Sequence, residues 1–224
     1  MWALLGHSGI SAHRGVMARS TLVPNSLVLP TYHPAAVLRN YQWRPIVISD
    51  LSKAQRHLAG EAVLATEDDF ELIINPTLAD IQTFYNSCTS CVGLAIDVET
   101  KAGMIRTISF TPSPDRSICI PFWDTDVPNY WADPVDEIQA LYWVQKFLHL
   151  PCPKIFQNGF YDLQYIWKCW GMTFRGDFED TMLLHHALQP EMEKSLGFLG
   201  SIYLDQPAWK EWRKSHADME KKDA

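Results

Sequence analysis

The stretch Val92-Gly-Leu-Ala-Ile-Asp-Val-Glu-Thr100 alternates with the period of a β-strand, and its reading decides the fold. Val92, Leu94, Ile96 and Val98 are bulky and apolar on one face, while Gly93, Ala95, Asp97 and Glu99 occupy the other. Asp97 and Glu99 therefore leave the end of one strand in the same direction. Two like charges held side by side are costly unless a cation lies between them, and a divalent metal ion is the usual solution.

The elements around this strand give an α/β order with a mixed sheet. A strand at Phe70–Ile74, a turn at Asn75-Pro76 and a helix over 78–86 precede it. After it, 105–110 and 117–121 read as two apolar strands separated by Pro112-Ser-Pro-Asp115, a meander. A helix over 134–148 is expected to carry Ile138, Leu141, Tyr142, Gln145 and Leu148 on one side. A short buried strand at Lys154–Phe156 leads into a helix from about Phe160 to Trp170, whose apolar stripe reads Phe160, Leu163, Trp167 and Trp170. Two further helices are expected over 181–188 and 195–204, and a charged helical tail over 216–224. Three meandering strands followed by helix, strand and helix is a mixed-sheet α/β pattern.

A different unit precedes this one. Trp2-Ala-Leu-Leu-Gly6 looks like the last turn of a helix stopped by glycine. Ser26-Leu-Val-Leu29 is a short strand ended by Pro30, and a helix over 45–58 carries Ile46, Leu51, Ala54 and Leu58. Residues 59–69 read as a linker. Net charge follows the same division. The chain holds 19 Lys and Arg against 26 Asp and Glu, yet its first 60 residues have six basic side chains and Asp50 alone as an acid. A basic segment beside an acidic one implies two units with different tasks, and the acidic one needs metal ions or local basic groups to meet a polyanion. With 47% hydrophobic residues and no apolar run long enough to span a membrane, the chain reads as globular.

Five cysteines, an odd number thinly spread, favour a reducing, cytoplasmic compartment over a disulfide framework. Cys88-x-x-Cys91 has no second pair at zinc-site spacing, so it reads as structural or incidental thiols. His185 and His186 are adjacent and cannot share one helix face as ligands. Arg106, Lys154, Lys168 and Arg175 are candidate phosphate contacts, and Tyr161, Tyr165, Trp167 and Trp170 are expected mostly in the core.

A third carboxylate strengthens the metal reading. Asn158-Gly-Phe-Tyr-Asp162 follows a buried strand and opens a helix, with Asn158 as N-cap and Asp162 in the first turns. Asp-x-Glu on the first strand and Asn-x-x-Tyr-Asp at a strand-to-helix junction together resemble the first two signatures of DEDD 3′–5′ exonucleases. The resemblance is to the proofreading domain of family A DNA polymerases and covers about residues 70–210, including the Phe178-Glu-Asp-Thr181 segment and the Leu196-Gly-x-Leu199 helix. It implies a ribonuclease-H-like mixed sheet flanked by helices and two-metal phosphodiester hydrolysis at a single-stranded DNA 3′ end. Asp97 would bridge two Mg²⁺ or Mn²⁺ ions, Glu99 would hold the nucleophile-side ion and Asp162 the second. Asn158 and Tyr161 would touch nucleic acid, and a DNA polymerase domain or subunit is the implied partner. Rival readings are a non-catalytic nucleic-acid-binding scaffold and an RNA-trimming exonuclease.

The family's fourth carboxylate, four or five residues after a Tyr or His, has no match. His216 is followed by Asp218, Glu220 and Asp223, and Tyr203 by Asp205, at other spacings. The expectation is a domain spanning 70–224 that stops before its third motif, with weak or absent activity.

In the first unit, Leu29-Pro-Thr-Tyr-His-Pro-Ala-Ala-Val-Leu-Arg39, with Arg14-Gly15 before it and Asp50-Leu51 after it, resembles the C-terminal signature of uracil-DNA glycosylases. Residues 1–58 would then be a partial α/β glycosylase-like segment, its catalytic motif lying upstream. The resemblance gives His33, Leu38 and Arg39 as DNA contacts.

Overall fold

The computed structural model describes residues 2–6, 9–61, 70–123 and 129–204. The chain divides into two compact units, Met1–Thr66 with Leu188–Ala224, and Glu67–Ala187.

The first unit contains helices α1 (Trp2–Leu5) and α2 (Ile10–His13), strands β1 (Ala18–Arg19) and β2 (Leu27–Val28), and helices α3 (Pro34–Arg39) and α4 (Arg44–Leu58). Strands β1 and β2 pair antiparallel. Helix α4 does not bury the expected apolar side: Leu51 and Leu58 are exposed, while Ile46, Asp50 and Lys53 are buried. Polar chemistry explains the difference. The Arg14 guanidinium grips Asp50 with bonds of 2.6 and 3.2 Å, and Thr31 adds a third at 2.6 Å.

The second unit opens with β3 (Glu71–Ile73) and α5 (Leu78–Cys88), followed by the meander β4 (Leu94–Lys101), β5 (Met104–Ser113) and β6 (Arg116–Pro121). Helix α6 (Pro134–Leu148), β7 (Lys154–Phe156), α7 (Gly159–Trp170), β8 (Phe178–Asp180) and α8 (Thr181–Leu188) complete it. The sheet order is β3-β6-β5-β4-β7-β8. From β4 onward the strands stand in the order third, second, first, fourth, fifth. Only the second of them, β5, runs antiparallel to its neighbours. This is the ribonuclease-H-like arrangement, with β3 added in parallel at the β6 edge.

The core confirms the alternation from Leu94 onward: Leu94, Ile96 and Val98 are buried and Asp97 and Glu99 exposed, whereas Val92, expected on the apolar face, precedes the strand and is exposed. Helix α6 buries Ala140, Val144, Phe147 and Leu148, leaving the expected Ile138 and Tyr142 exposed. Phe147 stacks on Phe110 of β5 with ring centroids 4.4 Å apart, which fixes the rotation of the helix. Helix α7 likewise turns Phe160 and Trp167 outward and buries Gly159, Asp162 and Ile166. A Cβ on Gly159 would stand 2.5 Å from the Phe156 Cβ, so only glycine lets α7 start this close to β7. The strand at 178–180 was not anticipated. It pairs in parallel with β7.

The last described helix, α9 (Leu196–Tyr203), belongs to the first unit rather than to a domain running from 70 to 224. The buried Lys53 amine donates to the carbonyls of Ser201 and Leu204, both at 2.6 Å, and to that of Gly15 at 3.0 Å. Arg14 reaches the Ser201 hydroxyl at 3.0 Å. Two buried cations thus take their acceptors from the end of α9. Most of the expected linker, the region around Asp205 and the tail over 216–224 lie outside the described residues. Among the described residues, no helix is long and apolar enough to cross a membrane.

Candidate active site

Asp97 and Glu99 sit at the C-terminal part of β4, opposite Ser109 and Thr107 of β5. A register shift between Glu99 and Thr100 ends the regular ladder just beyond them. On the other side, β7 pairs only with Leu94 and Ala95. With that short strand finished, the Val98 N–H is taken by a side chain: Asp162 of α7 accepts from it at 2.9 Å. The tyrosine before it adds a second tie, the Tyr161 and Thr100 hydroxyls sharing a hydrogen bond. Residues 161 and 162 thereby clip the first turn of α7 onto the strand that carries Asp97 and Glu99.

Asp162 is only 4% exposed. Burial, partly opposed by the Val98 N–H and reinforced by the negative charges of Asp97 and Asp180, pushes its carboxyl from 3.8 up to about 6. An acid at a helix start ordinarily faces solvent and pairs with the dipole. This one is buried against a second carboxylate's field, an arrangement in which a cation would relieve the repulsion.

Asn158 occupies the N-cap position of α7 in the left-handed region, φ 62°, without a side-chain capping bond. Asp180 does that work. Its carboxylate accepts from the backbone N–H groups of Asn158 (3.2 Å), Gly159 (2.8 Å), Met182 (2.8 Å) and Leu183 (3.3 Å), serving the starts of α7 and α8 together. An Asp directly before a helix signals a cap for α8. Nothing in the sequence signals that it also caps α7.

The donor set fits a hard divalent cation in chemistry, since Asp97, Glu99 and Asp162 are all carboxylates. Among the described residues, however, no group of three or more His, Cys, Asp or Glu side chains is gathered closely enough to hold a metal ion. Three of the expected ligands are brought to one strand end, without convergence into a coordination shell.

Other candidates separate clearly. Lys154 is no phosphate contact: it is fully buried, and its amine donates to the carbonyls of Leu150 (2.7 Å), Cys152 (2.7 Å) and Arg175 (2.8 Å). Burial holds its ammonium below the usual lysine range. Arg106, Lys168 and Arg175 are exposed. Tyr161 is 44% exposed and Trp167 63%, whereas Tyr165 and Trp170 pack partly against the core. His185 is buried in α8 and His186 exposed, on different sides as expected. In the first unit, His33 is the N-cap of α3 and its Nδ1 accepts from the Ala35 N–H at 3.1 Å, so a neutral ring carries its proton on Nε2. Leu38, 84% exposed, and Arg39 project from the end of that helix.

No protein-family model and no curated protein matches the chain. Among solved structures it is similar to the catalytic core of RRP6 from Trypanosoma brucei, at 14% identity over 62% of this chain and 36% of that one, with a TM-score of 0.48. It is also similar to Escherichia coli RNase D, an exoribonuclease involved in structured RNA processing, at 15% identity over 60% of this chain and 33% of that one, TM-score 0.42. A third is Brucella melitensis NrnC with bound Mg²⁺, at 18% identity over 62% of each chain, TM-score 0.41. The chain thus spans about a third of the length of the first two structures.

Proposed function

We propose that the second unit is a 3′–5′ exonuclease of the metal-dependent, ribonuclease-H-like type, acting on a single-stranded DNA 3′ end with impaired turnover in this chain. One observation carries the reading. Asp162 is buried against the backbone between Asp97 and Glu99, and the charge of Asp97 helps to push its carboxyl up to about 6. A plain helix-start acid has no reason to be buried beside a second carboxylate.

Asp97, Glu99 and Asp162 would hold Mg²⁺ or Mn²⁺. When bound, such ions lower the pKa of a water nucleophile and stabilise charge on the leaving oxygen. The chain's own contribution is orientation. Tyr161 and Asp162 fix α7 on β4, while Asp180 anchors the backbone at Asn158 and Gly159. Asn158 and Tyr161, both exposed beside these acids, would meet the terminal nucleotide. Impairment follows from the fourth carboxylate, for which no Asp stands four or five residues after a Tyr or His. The exposed Leu38 and Arg39, with His33, would give the first unit a separate DNA contact.

Titration calorimetry of the full chain with Mn²⁺ tests the site. Binding weakened at least tenfold by Asp97→Ala and by Asp162→Ala is expected. Mn²⁺ binding untouched by either change, or none at all, would favour a scaffold that keeps the fold without the chemistry.

A further inference from the structure

Five thiols lie in the second unit, and two of them meet far apart in sequence. The Sγ atoms of Cys91 and Cys152 are 3.4 Å apart, and all five cysteines are free. Cys91 closes the turn after α5, its N–H donating to the Cys88 carbonyl at 3.1 Å. Cys152 lies in the turn after α6. The two turns are locked together where β4 and β7 begin, the Leu94 N–H donating to the Pro153 carbonyl at 2.9 Å. The Cys152 backbone is also held from a second side. Its carbonyl accepts from the Lys154 amine at 2.7 Å and occupies the space where a side chain on Gly176 would stand, only 2.3 Å from that Cβ position. Gly176 itself is at φ 89°.

The Lys154 ammonium lies 3.9 Å from the Cys152 sulfur. Cys91, half-buried, is the more accessible partner. The Cys88-x-x-Cys91 motif seen in sequence is therefore not the pair the fold assembles. Cys88 is fully buried at the end of α5, and the Cys91 thiol donates its hydrogen bond to the sulfur of Cys152.

We propose that Cys91 and Cys152 form an oxidisable dithiol, converted by a peroxide into a disulfide that staples the start of β4 to the start of β7. The thiolate of one cysteine of the pair attacks one peroxide oxygen, forming an S–O bond and breaking the O–O bond. The departing hydroxide takes up a proton as water. The thiolate of the other then attacks the sulfenic sulfur, forming the S–S bond, and the departing hydroxide takes up a proton as a second water. With hydrogen peroxide, two thiols and one peroxide become one disulfide and two waters, the sulfurs losing the two electrons that the peroxide gains. Burial and the neighbouring Cys152 push the Cys91 thiol up to about 12, so disulfide formation is slow at neutral pH and accelerates as pH rises. The staple joins the two strands that lead to Asp97 and Glu99 on one side and to Asp162 on the other. It is independent of whether those acids bind metal.

The test treats the full chain with excess hydrogen peroxide, alkylates remaining thiols under denaturing conditions and maps peptides without reduction. The expected product is a linked Cys91–Cys152 peptide pair, with Cys88, Cys119 and Cys169 still alkylated. It is reversed by dithiothreitol and formed faster at pH 9 than at pH 7. Oxidation should raise the melting temperature by roughly 5–10 °C, because the crosslink closes a long loop. Cys91→Ser and Cys152→Ser should each abolish both the linked pair and the rise. Either variant is read first for an intact melting transition, and the wild-type peptide map stands alone if one fails to fold. A Cys88–Cys91 linkage, oxidation of either sulfur to sulfinic acid without a crosslink, or no loss of thiols would each overturn the proposal.

Discussion

Replacing Asp162 by Asn isolates the charge on the buried carboxylate while keeping an oxygen to accept from the Val98 N–H. In the folded chain the carboxyl titrates at about 6, against 3.8 for the ordinary group. A folded-state pKa raised above the unfolded one means that the native state holds its proton more tightly. The associated stability is fully present below pH 3.8 and is lost as pH rises through about 6. At about 1.4 kcal/mol per pH unit, the interval amounts to about 3 kcal/mol. Asp162→Asn never carries the charge, so in metal-free buffer it should gain on the wild type by about 3 kcal/mol between pH 3.5 and pH 8, roughly half of that by pH 5. Groups remote from Asp162 cancel in the difference. Urea unfolding of both chains across this pH range, with EDTA present, measures it. A stability difference independent of pH, or one that turns against the variant as pH rises, would refute the reasoning. Added Mn²⁺ should then erase the gain at pH 8 by stabilising only the wild type.

Asp180→Ala should lower stability by about 2–4 kcal/mol in thermal melting, because four backbone N–H groups lose their acceptor, and Asp180→Asn should recover part of the loss. Lys154→Met should cost about 2–4 kcal/mol by leaving three buried carbonyls without their donor. The same variant should leave oligonucleotide affinity, measured by fluorescence anisotropy on the folded fraction, unchanged. In the first unit, Arg14→Met strands the buried Asp50 and should cost about 3–5 kcal/mol, seen as lost hydrogen-exchange protection in α4 and α9.

What the sequence made legible was set by period and by locality. The two-residue alternation of β4 exposes Asp97 and Glu99 together whatever surrounds them, so their common face could be read directly. A mixed sheet followed from the meander and the helix–strand–helix run after it, while the position of each strand in the sheet did not. Helix faces were harder. On α6 the buried side is built on Ala140 and Val144, while the larger Ile138 and Tyr142 point outward, so size misled where ring stacking by Phe147 decided. Long-range polar contacts were invisible. Lys154 resembles a phosphate ligand until two turns place three carbonyls around it, and Asp180 acts 22 residues away from Asn158. The Cys91–Cys152 meeting likewise arises only when β4 and β7 lie side by side. Strand β8 has Glu179 and Asp180 as two of its three residues, so no apolar run marks it, unlike the equally short β7 with Ile155 and Phe156.

The most direct measurement is the digestion of a 5′-labelled single-stranded DNA by the full chain in Mn²⁺, resolved nucleotide by nucleotide, beside RNA of the same sequence. Slow, stepwise shortening of the DNA from its 3′ end is predicted, abolished by EDTA, by Asp97→Ala and by Asp162→Ala. Shortening that survives Asp97→Ala would place the chemistry elsewhere. Robust turnover dependent on Asp97 would contradict the impairment, and cleavage confined to RNA would contradict the choice of DNA.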